Sequence, residues 1–65
     1  MKKDRLIYVR TAAERLCCTE AHVYQMIADG KLAAVRLGPR ALRVFENSVD
    51  DYIRQHKINA EDYLS

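Results

Sequence analysis

The chain has 65 residues and a net charge of +2, which allows one domain at most. A domain of this size buries only about 60% of its unfolded surface, so a core and a large substrate pocket do not both fit. No apolar stretch approaches the ~20 residues of a membrane span, and Leu6-Ile7-Tyr8-Val9, behind the basic start, is too short for a signal-peptide core; a soluble cytoplasmic protein is expected.

The two cysteines, Cys17 and Cys18, are adjacent, with no third to pair with them. That pattern fits a reducing compartment and not a disulfide scaffold. Charge is distributed unevenly. Residues 1–43 carry nine Lys and Arg against four acids, whereas residues 44–65 carry two against five. A basic front with an acidic, solvated rear suits a nucleic-acid face.

In chain order, Val9, Ala12, Ala13 and Leu16 recur at i, i+3, i+4 and i+7, the stripe of a half-buried helix over Val9 to Leu16 or Cys17. Arg10, Glu14 and Arg15 fall on its wet face. A second helix follows Thr19, a good N-cap, with Val23, Met26 and Ile27 as its apolar stripe. Gly30 suits the left-handed position that ends it. Two short helices joined by Cys17-Cys18-Thr19 must cross steeply, as in a helix-turn-helix.

Ala34-Val35-Arg36-Leu37 and Leu42-Arg43-Val44-Phe45 read as a β-hairpin around Gly38-Pro39-Arg40-Ala41. A four-residue turn sets Leu37 opposite Leu42, Arg36 opposite Arg43 and Val35 opposite Val44. The apolar pairs then share one face and the two arginines the other. Like charges directly across a hairpin are destabilising, and a small domain that accepts this is expected to place an anion there. A third helix is expected over Ser48–Lys57, with Asn47 as N-cap and Asp50 and Asp51 near its positive end. Val49, Tyr52 and Ile53 form its buried stripe, extended by His56. The predicted organisation is one DNA-binding domain over residues 1–57 and a tail over 58–65, whose Ile58, Tyr63 and Leu64 are suited to packing back or touching a neighbour.

Glu20, His22 and Gln25 project from the polar face of the second helix. Gln can bond adenine bidentately in the major groove and Glu can accept from the cytosine amino group; Ala21 suits a thymine methyl. These four are the candidate base-reading residues. Arg36 and Arg43 are candidates to clamp phosphates, and Tyr24 to bond one through its hydroxyl. Arg40, at the hairpin tip, is placed to enter or flank the minor groove. Arg10, Arg15 and Lys31 are lesser phosphate candidates. Cys18 and His22 lie four apart, but a zinc site wants four ligands and the only other histidine is His56. No metal, no cofactor and no catalytic residue is expected, and Cys18 reads as a small buried hydrophobe.

The string Ala12-Ala13-Glu14-Arg15-Leu16, Thr19, Val23-Tyr24, Ile27, Gly30-Lys31-Leu32, Val35-Arg36-Leu37-Gly38, Arg43 and Val49-Asp50-Asp51-Tyr52-Ile53 resembles the excisionase/AlpA-like family. Members are small winged-helix DNA binders related to the DNA-binding domain of MerR regulators. The resemblance covers roughly residues 7–54, and the hairpin looks like the AlpA-type branch. It implies an α+β fold, a small winged helix-turn-helix of two helices, a two-stranded β-hairpin wing and a closing helix. It also implies a bacterial or phage-encoded binder of double-stranded DNA that acts as a recombination directionality factor beside an integrase, or as an AlpA-like transcriptional regulator. A protein-interaction module on the same fold is the further alternative, and it would want an apolar patch on the second helix. No long coiled coil for dimerisation is present, so a monomer that loads cooperatively on DNA is expected. The chain departs from the family twice. Cys17 takes the place of a turn glycine and is expected to hold positive φ, and Tyr8 takes the place of a Ser/Thr cap.

Overall fold

The computed structural model describes residues 4–58, and the first regular element is a strand that periodicity does not reveal. The order is β1 (Leu6–Tyr8), α1 (Val9–Leu16), α2 (Glu20–Ala28), β2 (Ala34–Arg36), β3 (Leu42–Phe45) and α3 (Glu46–Gln55). The three strands form one antiparallel sheet in the order β1-β3-β2. The wing is therefore a hairpin backed by a third strand, in a small α+β winged helix-turn-helix.

The helix-turn-helix is built as its local signals require. The ends of α1 and α2 share one backbone solution. Cys17 has φ 55, and its N–H donates to Glu14 O while that of Cys18 donates to Ala13 O. Gly30 has φ 77, with Gly30 N–H on Ile27 O and Lys31 N–H on Met26 O. Both are Schellman-type closures, which need a left-handed residue after the helix. Thr19 Oγ1 accepts the His22 N–H at 3.1 Å and caps the start of α2.

Val23, Val44 and Val49 are fully buried, one each from α2, β3 and α3. Around them lie Ile7, Val9, Ala12, Ala13, Met26 and Leu32, with Cys18, Leu16, Ile27, Leu42 and Tyr52 partly buried against the cluster. The core thus sits where both helices of the helix-turn-helix and α3 meet one face of the sheet.

Two expectations about the closing helix are corrected. It starts at Glu46, two residues before Ser48, because its cap comes from the opposite end of the chain. Asp4 Oδ1 accepts the Asn47 N–H at 3.0 Å and Arg5 O accepts the Glu46 N–H at 2.7 Å. Phe45, not Asn47, is the N-cap residue. Its buried stripe is also shorter than expected. Val49 is buried and Tyr52 partly so, but Ile53 is 45% exposed, and His56 is exposed and stacks on Tyr52 with ring centroids 4.0 Å apart. The tail residues Tyr63 and Leu64 lie outside the described residues. Among the described residues no helix is long and apolar enough to cross a membrane.

Candidate nucleic-acid interface

Helical spacing decides what α2 presents. Val23 and Met26 turn inward, with Ile27 beside them. At 100° per residue, Ala21 and Gln25 fall on the opposite face, with Glu20 and Tyr24 on one flank and His22 on the other. All five are exposed, Tyr24 by 50%. Gln25 is not free to point anywhere: its Nε2 donates to Asp29 Oδ1, one turn on, at 3.0 Å.

The wing differs from its sequence reading by one residue. Ala41 N–H closes a turn on Gly38 O at 3.2 Å, and Ala41 O accepts the Leu37 N–H at 2.7 Å. Ala41 therefore joins the ladder, and the loop is Gly38-Pro39-Arg40 instead of four residues. Every pair shifts. Ala34 lies opposite Val44, Val35 opposite Arg43 and Arg36 opposite Leu42. A one-residue slip exchanges the faces of a whole strand. Arg36 and Arg43 are thus on opposite faces of the sheet, and the expected like-charge pair does not exist. This register puts Val44 and Leu42 on the core face together with Ile7, which pairs with Val44 from β1. The other face carries Arg43 with Tyr8 opposite it on β1.

Tyr8, the N-cap residue of α1, makes no side-chain cap bond. Its ring lies under the Arg43 guanidinium instead, with Cζ 4.4 Å from the ring centroid. Arg43 Nη1 also donates to Leu42 O at 3.0 Å.

These residues border a groove of about 400 Å³. Its walls are the first turn of α1 (Val9, Arg10, Thr11), the leading flank of α2 (Glu20, Tyr24) and the wing (Arg40, Leu42, Arg43), with Tyr8 between α1 and the wing. Five residues singled out from the sequence meet here: Arg10, Glu20, Tyr24, Arg40 and Arg43. Ala21, His22 and Gln25 lie outside its lining, on α2. Lys31 follows the end of α2, and Arg36 is on the other sheet face, its Nη1 on Pro39 O at 3.5 Å. Tyr8 and Thr11 were not among the sequence candidates. The signal for Tyr8 is non-local, because nothing near residue 8 shows that it will pair with residue 43.

Among the described residues, Arg10, Arg36, Arg40, Arg43 and Lys31 make no ion pair within 4 Å, whereas Arg15 bonds Glu46 and Asp50. Arg15 thereby links α1 to α3. Among the described residues, the groove and wing thus hold four cations without an ion pair, Arg10, Arg36, Arg40 and Arg43, while Arg5, Lys31 and Lys57 are free elsewhere, and the acids of α3 are partly neutralised internally. Among the described residues no three His, Cys, Asp or Glu side chains group as metal ligands. Cys17 is exposed and Cys18 half-buried, both as free thiols.

Comparison with known proteins agrees with this architecture. Residues 9–57 match the family model of a helix-turn-helix domain. An excisionase of Mycobacterium phage D29 is 44% identical over 46 residues, covering 71% of this chain and 82% of that protein. The matched region takes in both helices, the wing and α3, so this chain belongs to the excisionase/AlpA-like family of small helix-turn-helix proteins.

Proposed function

We propose that this protein binds double-stranded DNA sequence-specifically as an excisionase, a recombination directionality factor of a phage or integrated element. In this reading α2 enters the major groove, where Glu20, Ala21, His22 and Gln25 meet base edges, and the wing lies over the adjacent minor groove. Arg10, Tyr24, Lys31, Arg36, Arg40 and Arg43 serve the backbone. The observation that carries it is the groove that gathers Arg10, Arg40 and Arg43 beside the exposed flank of α2. Three unpaired guanidinium groups converging next to a polar helix face suit a polyanion whose phosphates run past a readable groove.

A transcriptional regulator would dock in the same way; the likeness to a phage protein named an excisionase favours excision. A single module of this size makes few base contacts, so one copy binds weakly. Monomers loading side by side on repeated sites, held at high effective concentration by the DNA, overcome that. Bending the site into an arrangement an integrase can use costs on the order of 1–6 kcal/mol, which several copies share. The setting is the bacterial cytoplasm.

The test is a gel-shift titration at stepped salt, using DNA that flanks the protein's own gene and an unrelated duplex of equal length. Several successive complexes on the flanking DNA are expected, with affinity falling steeply as salt rises. Arg40→Ala should lower the slope of log K against log salt by about one unit. Equal affinity for both duplexes, or no complex at low salt, would remove the reading. An integrase-dependent excision assay then separates excision from regulation.

A further inference from the structure

We infer that Tyr8 is a positioning residue for DNA binding: its ring holds the Arg43 guanidinium in the pose that receives a backbone phosphate. The inference deepens the proposed function and rests on it.

Position 8 is the N-cap of α1, where Ser, Thr, Asp or Asn would bond a first-turn N–H. A tyrosine ring cannot do that work, and Tyr8 makes no cap bond. Nor does it serve the core, since it is 62% exposed. Its ring is used elsewhere. Tyr8 pairs with Arg43 in the β1–β3 register, so both side chains leave the same sheet face. The guanidinium carbon stands 4.4 Å over the ring centroid, well within cation–π range.

Arg43 is held from two sides, by that ring and by Leu42 O at 3.0 Å. A guanidinium has five N–H donors, and one bond to a carbonyl leaves the others available. They belong to a residue lining the same groove as Arg10 and Arg40. A free arginine must surrender its rotamer freedom when it grips a phosphate. One already stacked has surrendered it on folding, so binding is tighter without a new contact to DNA. Losing the stack while keeping the charge should weaken binding roughly three- to tenfold, the cost of immobilising one long side chain.

A double-mutant cycle on the full chain, read by fluorescence anisotropy with the gene-flanking duplex, tests this. Tyr8→Phe keeps the ring and should bind as the wild type does. Tyr8→Leu should bind three- to tenfold more weakly with its salt slope unchanged, because Arg43 still reaches the phosphate. Arg43→Ala should lose about one unit of slope, and adding Tyr8→Leu to it should cost nothing further. In the free protein, ring-current shifts of the Arg43 side-chain protons should be present with Tyr8 or Phe and absent with Leu. That readout separates the stack from a loss of fold. Equal penalties for Tyr8→Leu with and without Arg43 would overturn the inference. So would Tyr8→Phe failing as Tyr8→Leu does, since the hydroxyl would then be the contact. Duplex binding indifferent to Arg43→Ala overturns the inference and leaves the DNA reading standing. No duplex binding by the wild type overturns both.

Discussion

Arg15 on α1 reaches Asp50 on α3, its Nη2 donating to Oδ1 at 2.8 Å, while Nη1 of the same guanidinium donates to Glu46 at 2.9 Å. One cation therefore ties the closing helix to the first helix, and in the proposed reading the DNA-facing charge falls to other arginines. The pairs are partly exposed, and exposed pairs contribute little each. Arg15→Ala should lower stability by roughly 1 kcal/mol, at the upper end for surface pairs because one group serves two carboxylates. Urea unfolding checks the first part, and an unchanged salt slope for DNA binding checks the second. A slope reduced by a unit would return Arg15 to the interface.

The cap of α3 is contributed from 43 positions away in sequence. Asp4→Ala should cost about 0.5–2 kcal/mol, the usual loss of a capping side chain. Asn47→Ala, at the position a sequence reader would choose as the cap, should be nearly neutral. Thermal melts of the two variants decide between the caps, and the reverse ranking would place the cap at Asn47.

The left-handed residues after α1 and α2 should respond in opposite directions. A Cβ on Gly30 would meet nothing within 4 Å, so the cost of Gly30→Ala is conformational, about 1 kcal/mol or slightly more. Cys17 already bears that cost at φ 55. Cys17→Gly removes it and adds back some unfolded-chain entropy, for a net gain of up to roughly 1 kcal/mol. Chemical denaturation of both variants measures the pair. Destabilisation by Cys17→Gly would mean that the side chain contributes packing its exposure does not suggest.

Asp29 governs how Gln25 is presented. An ionised carboxylate only accepts hydrogen bonds, so Gln25 must turn its amide nitrogen to Asp29 and leave its carbonyl oxygen outward. With α2 in the major groove, that oxygen suits the exocyclic amino group of adenine or cytosine. Gln25→Ala should relax preference at one base position, at about 1–3 kcal/mol of discrimination. Asp29→Ala should relax the same position without weakening general DNA affinity. Binding to a set of single-base variants of the site reads both. A uniform loss across all sequences would make Gln25 a backbone contact.

Local chemistry was enough to delimit the helix-turn-helix. The stripe from Val9 to Leu16, the Thr19 cap and the Gly30 stop each act within one or two helical turns, where neighbours in sequence are neighbours in space. The same holds for the gathering of basic residues before residue 44, which belongs to composition. The closing helix was legible in its middle, at Val49 and Tyr52, and misread at both ends of its pattern. Its start depends on Asp4, and Ile53 is exposed because the core ends at Tyr52. Strand β1 is three residues with only Ile7 buried; too short to show a period, it exists because β3 offers it a partner. The wing register turned on whether Ala41 belongs to the loop or the ladder. Hairpin sequence allows both, and packing of Val44 against Ile7 and Val49 selects one. That selection parts Arg36 from Arg43 and brings Arg43 over Tyr8. A one-residue choice of register is invisible to an alternating pattern read along one strand, since only the partner strand and the core beneath it distinguish the two faces.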